Sequence, residues 1–168
     1  MFHHFCDRRH PRGQGAIDRK TFRKMLIKIG TERFLEPQEW IQKCKENSLT
    51  PGDLCITFDD TLLCQYEVAK GVLHELGLRA FFFVYTSVLS GGKDTLEIYR
   101  YFRTVCYKSI DVFYNDFFAE CSRLSKRNPL TFFESYDSAE YLKPYRYFSE
   151  NDKKFRFLRD EVLSLEEY

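Results

Sequence analysis

Two periods organise the apolar positions of this chain. After the Pro51-Gly52 turn, Leu54-Cys55-Ile56-Thr57-Phe58 is a nearly continuous apolar run, and Asp59 and Asp60 end it. A run of that kind predicts a strand of a parallel sheet over 53–58, because such strands are covered on both faces. Leu62, Tyr66, Ala69, Leu73 and Leu76 then recur at helical spacing. They predict an amphipathic helix over 61–76, closed by Gly77 as its C-cap. Ala80-Phe81-Phe82-Phe83-Val84-Tyr85 follows as a second strand over 80–85. Strand, helix and strand with short joins make a βαβ unit, which dictates parallel pairing and a right-handed crossover.

The flanking pattern is less regular. Met1 to Phe5 reads either as a short aromatic first strand, with His3 and His4 on opposite faces, or as a frayed terminus. Cys6 to Gly15 is a polar loop with several Arg, expected to be solvated. Asp18 is placed to cap a helix whose inner face is Phe22, Met25, Leu26 and Ile29, and Gly30 closes it. Pro37 suits the first turn of another helix, with Trp40, Ile41 and Cys44 on one side. Residues 86–94 form a loop.

From Thr95 the period is helical. Helices are predicted over 96–105 and 110–123, then briefly over 137–142 before Pro144. A further helix starts at Ser149, where Asp152 approximates a capping box, and carries Phe155, Leu158, Val162 and Leu163. Asn128-Pro129 breaks the pattern, and 163–168 reads as the first turn of another helix. The chain therefore divides into an α/β part, 1–94, and a largely helical part, 95–168, with no third strand placed in the latter.

Asp59 and Asp60 draw the chemistry. Ligands of α/β folds gather at the carboxyl ends of the strands. Side chains alternate along a strand, so two adjacent acids face different ways and can divide the tasks of base and metal ligand. The alternative is a strand that ends in a polar turn, with one Asp capping the next helix.

Thr57-Phe58-Asp59-Asp60, the helix after it, and Gly77-Leu78-Arg79-Ala80-Phe81-Phe82-Phe83-Val84 resemble the polysaccharide deacetylase family, of NodB homology type. Its first motif is T-F-D-D-G, followed by a helix and a G-x-x-A-T-F-F-V strand. The resemblance covers the chain up to Val84, and Thr61 stands where the family has Gly. It implies a (β/α) barrel of parallel strands, incomplete here, with the helical section as an insertion or extension. It also implies a hydrolase that removes N-acetyl groups from a carbohydrate with zinc or another divalent metal. Asp59 would be the catalytic base and Asp60 a metal ligand. Family members carry an aromatic-His pair in the first strand near the site, which Phe2-His3 or His3-His4 resembles, so His3 and His4 are near-site candidates. The family's second motif, H-x-x-x-H, supplies two further ligands and is absent. The four His are His3, His4, His10 and His74, and His74 points off its helix's buried stripe. The resemblance thus implies the front part of a longer domain, acting on an acetamido sugar or polysaccharide and weak in catalysis alone.

Composition narrows the partners. The 168 residues carry a net charge of +1, which leaves no electrostatic footprint for nucleic acid or an anionic membrane. No apolar run is long enough to span a bilayer, and no secretory leader heads the chain, so a cytoplasmic location is expected. Six Cys are scattered without a C-x-x-C pair. The aromatic share of 17% implies ring-built cores or an exposed aromatic surface through which the chain associates.

Two other functions fit parts of the pattern. A non-catalytic interaction fragment accords with the missing histidines and the aromatic surplus. A haloacid-dehalogenase-like phosphatase begins F-D-x-D-G-T-L, which Phe58-Asp59-Asp60-Thr61-Leu62 resembles. That family needs its second acid two residues after the first, where this chain has Thr61.

Overall fold

The computed structural model describes residues 1–124, 128 and 131–163. It is a mixed α/β structure whose strands are short and parallel. No closed barrel is present among the described residues. Two compact units divide the chain, Met1–Thr104 and Val105–Tyr168.

In the first unit, β1 (Phe5–Cys6) pairs in parallel with β2 (Ile17–Asp18). β3 (Thr57–Phe58) pairs in parallel with β4 (Phe81–Phe82), in the register Thr57 to Phe81 and Phe58 to Phe82. A parallel bridge from Phe2 to Phe58 links the N-terminal segment to β3, and another joins Phe34 to Leu54. The βαβ unit is therefore present with the expected direction. The ladders are far shorter than the 53–58 and 80–85 expected. β4 has a strand neighbour on one side only among the described residues, and hydrogen bonds from Phe81 N to Ile56 O and from Phe83 N to Phe58 O complete its pairing.

Helices pack against these strands. α1 (Arg19–Ile29) begins at Asp18, whose carboxylate accepts from Thr21 N at 2.7 Å, and ends at Gly30 with φ 102. Only Phe22 and Leu26 of the expected inner face are buried, while Met25 and Ile29 are exposed. α2 (Pro37–Lys45) has Pro in its first turn and no fully buried residue, and Trp40 meets Phe81 edge-on. The helix between β3 and β4 runs as a π-turn at Gln65–Ala69 into α3 (Lys70–Glu75). Phe5, Phe22, Leu26, Ile56, Phe58 and the inner face of that helix form one apolar core.

The expected helix stripe holds at Leu62, Ala69, Leu73 and Leu76 and fails at Tyr66. The buried positions are Cys64, Gln65, Val68, Ala69, Val72 and Leu73, and Tyr66 is exposed. His74 is exposed, as its place off the stripe predicts. α4 (Thr95–Cys106) contains no buried residue and crosses the boundary between the units.

The second unit is helical, with no strand among its described residues. α5 (Ile110–Leu124) and α6 (Glu150–Phe157) pack Phe113, Tyr114 and Phe155 together, and Cys121, Phe132 and Leu158 form a second cluster. Ser149 and Asp152 make the full capping box. Tyr114 Oη also donates to the buried Asp152 carboxylate, so this acid serves both the cap and the core. The expected helix over 137–142 is instead a series of turns, with Asp137 Oδ1 accepting from Ala139 N and Leu142 at φ 52. Pro129 and 164–168, where a break and another helical turn were expected, lie outside the described residues. No described helix is long and apolar enough to cross a membrane.

The α1 cap sets a pH dependence. The Asp18 carboxyl is held down at about 2, from an ordinary 3.8, chiefly by the Thr21 backbone N–H, then by the Thr21 hydroxyl and Arg12. A depressed folded-state pKa contributes stability above the unfolded value and loses it as pH falls through the folded one. Urea titrations should show the stability difference between the wild type and Asp18→Asn shrinking as pH falls from 3.8 towards 2.

Candidate functional site

The carboxylates sit where β3 ends. Phe58 is fully buried, and the chain turns immediately after Asp59. Asp60 has φ 74 and Thr61 has φ 56, so two successive non-glycine residues occupy left-handed backbone. Such a conformation is unusual for any side chain and more so for a β-branched one. It turns Asp60 away from the strand direction and towards the N-terminal segment. His3 Nδ1 lies 2.8 Å from Asp60 Oδ2, joining residues 57 apart in sequence.

Two devices hold the turn. The Thr61 hydroxyl accepts from Tyr85 N at 2.8 Å and donates to Phe83 O at 3.4 Å, which ties the turn to the segment after β4. Gln65, nearly fully buried in the π-turn, donates to His3 O at 2.8 Å and to Asp59 O. Its Oε1 accepts from Leu62 N at 3.2 Å. One buried amide thus joins the His3 segment, the Asp59 backbone and the start of the helix. Gln65 stands at ordinary helical spacing from Leu62, Ala69 and Val72, but as a polar residue it gives no signal in a pattern of apolar positions.

His4 takes different partners. Its Nε2 lies 2.8 Å from Glu97 Oε2 and 2.8 Å from Arg100 Nη1, and Arg100 also contacts Glu97. One ring nitrogen cannot donate to the carboxylate and accept from the guanidinium at once, so the tautomer or protonation state of His4 selects between them. His10 Nε2 lies 2.7 Å from Glu67 Oε2, and Arg9 pairs with the same carboxylate at 3.0 Å. Asp7 Oδ1 accepts from Arg9 N and His10 N, so the loop, exposed at Asp7, Arg8 and Arg9 as expected, contains an anchored turn. Of the four sequence-predicted residues, the structure brings His3 to Asp60, places Asp59 beside them in the chain, and directs His4 to Glu97 and Arg100. Glu97, Arg100 and Glu67 carried no sequence signal beyond ordinary helical charge.

A catalytic zinc site uses three protein ligands and an open position. Asp60 and His3 supply two donors, and no group of three or more His, Cys, Asp or Glu suited to a metal occurs among the described residues. Burial pushes the Cys64 thiol up, away from the thiolate a metal would need. The described residues therefore do not make up the full ligand set that the deacetylase resemblance implies.

No protein-family model, characterised protein or solved structure matches this chain. The geometry of the site and the motif resemblance carry the functional reading between them.

The turn makes a prediction of its own. Thr61→Val keeps the shape but removes the hydroxyl between the turn and Tyr85 N. It should cost about 1 kcal/mol in urea unfolding, whereas Thr61→Ser should stay close to the wild type.

Proposed function

We propose that this chain is a polysaccharide-deacetylase-like protein that engages an acetamido sugar at the end of β3. The observation that carries this reading is the His3–Asp60 contact at 2.8 Å, formed beside Asp59 at the carboxyl end of a parallel strand. The T-F-D-D resemblance and the contact of a first-segment His with its second Asp support this reading. In the reaction, water adds to the amide carbonyl, the C–N bond breaks, and acetate and a free amine leave. Asp59 would take the water's proton and Asp60, oriented by His3, would hold the metal side of the site. A divalent metal bound by Asp60 and His3 would supply Lewis acidity there. With two donors present, the chain alone is expected to bind zinc weakly and to turn over slowly.

Zinc titration combined with acetate release from a chitooligosaccharide tests this. Asp60→Asn and His3→Ala should each weaken zinc binding by about tenfold or more. Asp59→Asn should remove the residual acetate release while zinc binding persists. Acetate release indifferent to Asp59→Asn, or zinc binding indifferent to both ligand-side changes, would overturn the reading.

A second reading, association without catalysis, is favoured by the β4 edge. Phe82, Phe83, Val84 and Tyr85 are between 45% and 56% exposed beside a strand that, among the described residues, is paired on one side only. An apolar strand edge of this kind is a template for a further strand, and a second copy of the chain offers the same edge. Sedimentation should then show a concentration-dependent dimer that Phe83→Lys abolishes. A monomer at all concentrations removes this reading and leaves the first untouched.

A further inference from the structure

α1 concentrates charge that the whole chain averages away. Residues 7–28 hold eight Lys or Arg and two Asp, within a chain of net charge +1. Arg19, Lys20, Arg23, Lys24 and Lys28 stand on α1, which contains no acidic residue. A single carboxylate answers them: Glu75 pairs with Arg19 and lies 3.9 Å from Arg23 Nε. Lys20, Lys24 and Lys28 are exposed and pair with no carboxylate among the described residues, so the excess survives pairing. We propose that this lysine ridge binds the phosphate backbone of duplex DNA, without sequence preference.

The geometry of the ridge follows from the helix. Residues four apart lie above one another, so the three lysines form one line with about 6 Å between successive positions. Phe22 and Leu26 bury the opposite face, and the line points straight out to solvent. At the start of α1, Lys20 and Arg8 both line a cavity of about 460 Å³, which extends the basic surface. Asp7 and Asp18 also line it, and each already accepts backbone N–H groups.

Charge alone admits several polyanions, and shape and composition choose among them. A helix with its side chains is about 10–12 Å across and enters the major groove of B-form DNA, about 12 Å wide. The major groove of an RNA duplex is too narrow to admit one. Single strands are held by bases stacked on aromatic rings, and the one aromatic residue of α1, Phe22, is buried. Amphipathic helices meet an anionic membrane by inserting an apolar face, whereas α1 turns that face to the core and leaves Ile27 exposed beside the lysines. The ridge carries no Asn or Gln, which suits phosphates rather than base edges.

Fluorescence anisotropy of the full chain with labelled duplex DNA tests the proposal. Each phosphate neutralised adds about 0.9 to the logarithmic salt slope, so three lysines predict a fall in affinity of about fortyfold between about 50 and 200 mM salt. Combining Lys20→Gln, Lys24→Gln and Lys28→Gln should flatten that slope and weaken binding by about tenfold or more at the lower salt. Removing three charges elsewhere, with Lys45→Gln, Lys93→Gln and Lys108→Gln, should leave the slope as it is. All six side chains are exposed, so the variants keep the fold, and circular dichroism checks it. Two duplexes of unrelated sequence should bind alike. No duplex binding at low salt, an unchanged slope in the α1 variant, an equal loss in the control, or a strong preference between the two sequences would overturn the proposal. So would tighter binding to single-stranded DNA, to an RNA duplex or to phosphatidylserine vesicles.

Discussion

Phe58 carries the first unit. Its ring is fully buried, stacks on Phe82 at 4.7 Å and meets Phe2, Phe5 and Phe22 at 5.8–6.1 Å between centroids. Its backbone bridges to Phe2 on one side and pairs with Phe82 on the other. One residue therefore fixes three chain segments in both the sheet direction and the core. Burying an aromatic ring of this size stabilises by about 2–3 kcal/mol from the transfer of apolar surface alone. Ladders only two residues long supply few backbone hydrogen bonds, so the register rests on these rings.

The site inherits its geometry from that packing. With Phe58 locked, Asp59 is the first residue able to leave the strand, and the left-handed pair Asp60-Thr61 redirects the chain at once. A strained turn of this kind costs on the order of 1–3 kcal/mol per residue and persists where its surroundings determine it. Here Thr61 is tied to Tyr85, and Gln65 is tied to His3 and Asp59. Gln65 lies on an otherwise apolar face of its helix, where these bonds and the one from Leu62 N satisfy its amide. The contact between His3 and Asp60 is thus the outcome of core packing, turn strain and one buried amide acting together.

The second unit uses a related economy. The capping box at Ser149 would hold with Asp152 at the surface, yet Asp152 is buried and receives the Tyr114 hydroxyl as well. A buried carboxylate is tolerated when its lone pairs are filled. Helix start and aromatic core are coupled through one side chain, which makes the α5–α6 pair specific in register.

By itself the sequence determined the order and kind of the main elements. Strand, helix and strand around Asp59, the Asp18 and Ser149 caps, Gly30 as a stop, and the exposed place of His74 all follow from local chemistry: period, cap geometry and turn propensity. The motif resemblance singled out Asp59, Asp60 and the first-strand histidines before their placement was known. Only the tertiary structure decided which histidine meets Asp60, since His3 and His4 are adjacent and equal in pattern. It also decided that Gln65 faces inward while Tyr66 does not, that Met25 and Ile29 stay exposed, and that the 137–142 segment remains a run of turns. The reason is the same in each case. Period assigns a residue to a face, but contacts between segments far apart in the chain decide which residues of that face are covered and where the backbone leaves it, and those contacts leave no local trace.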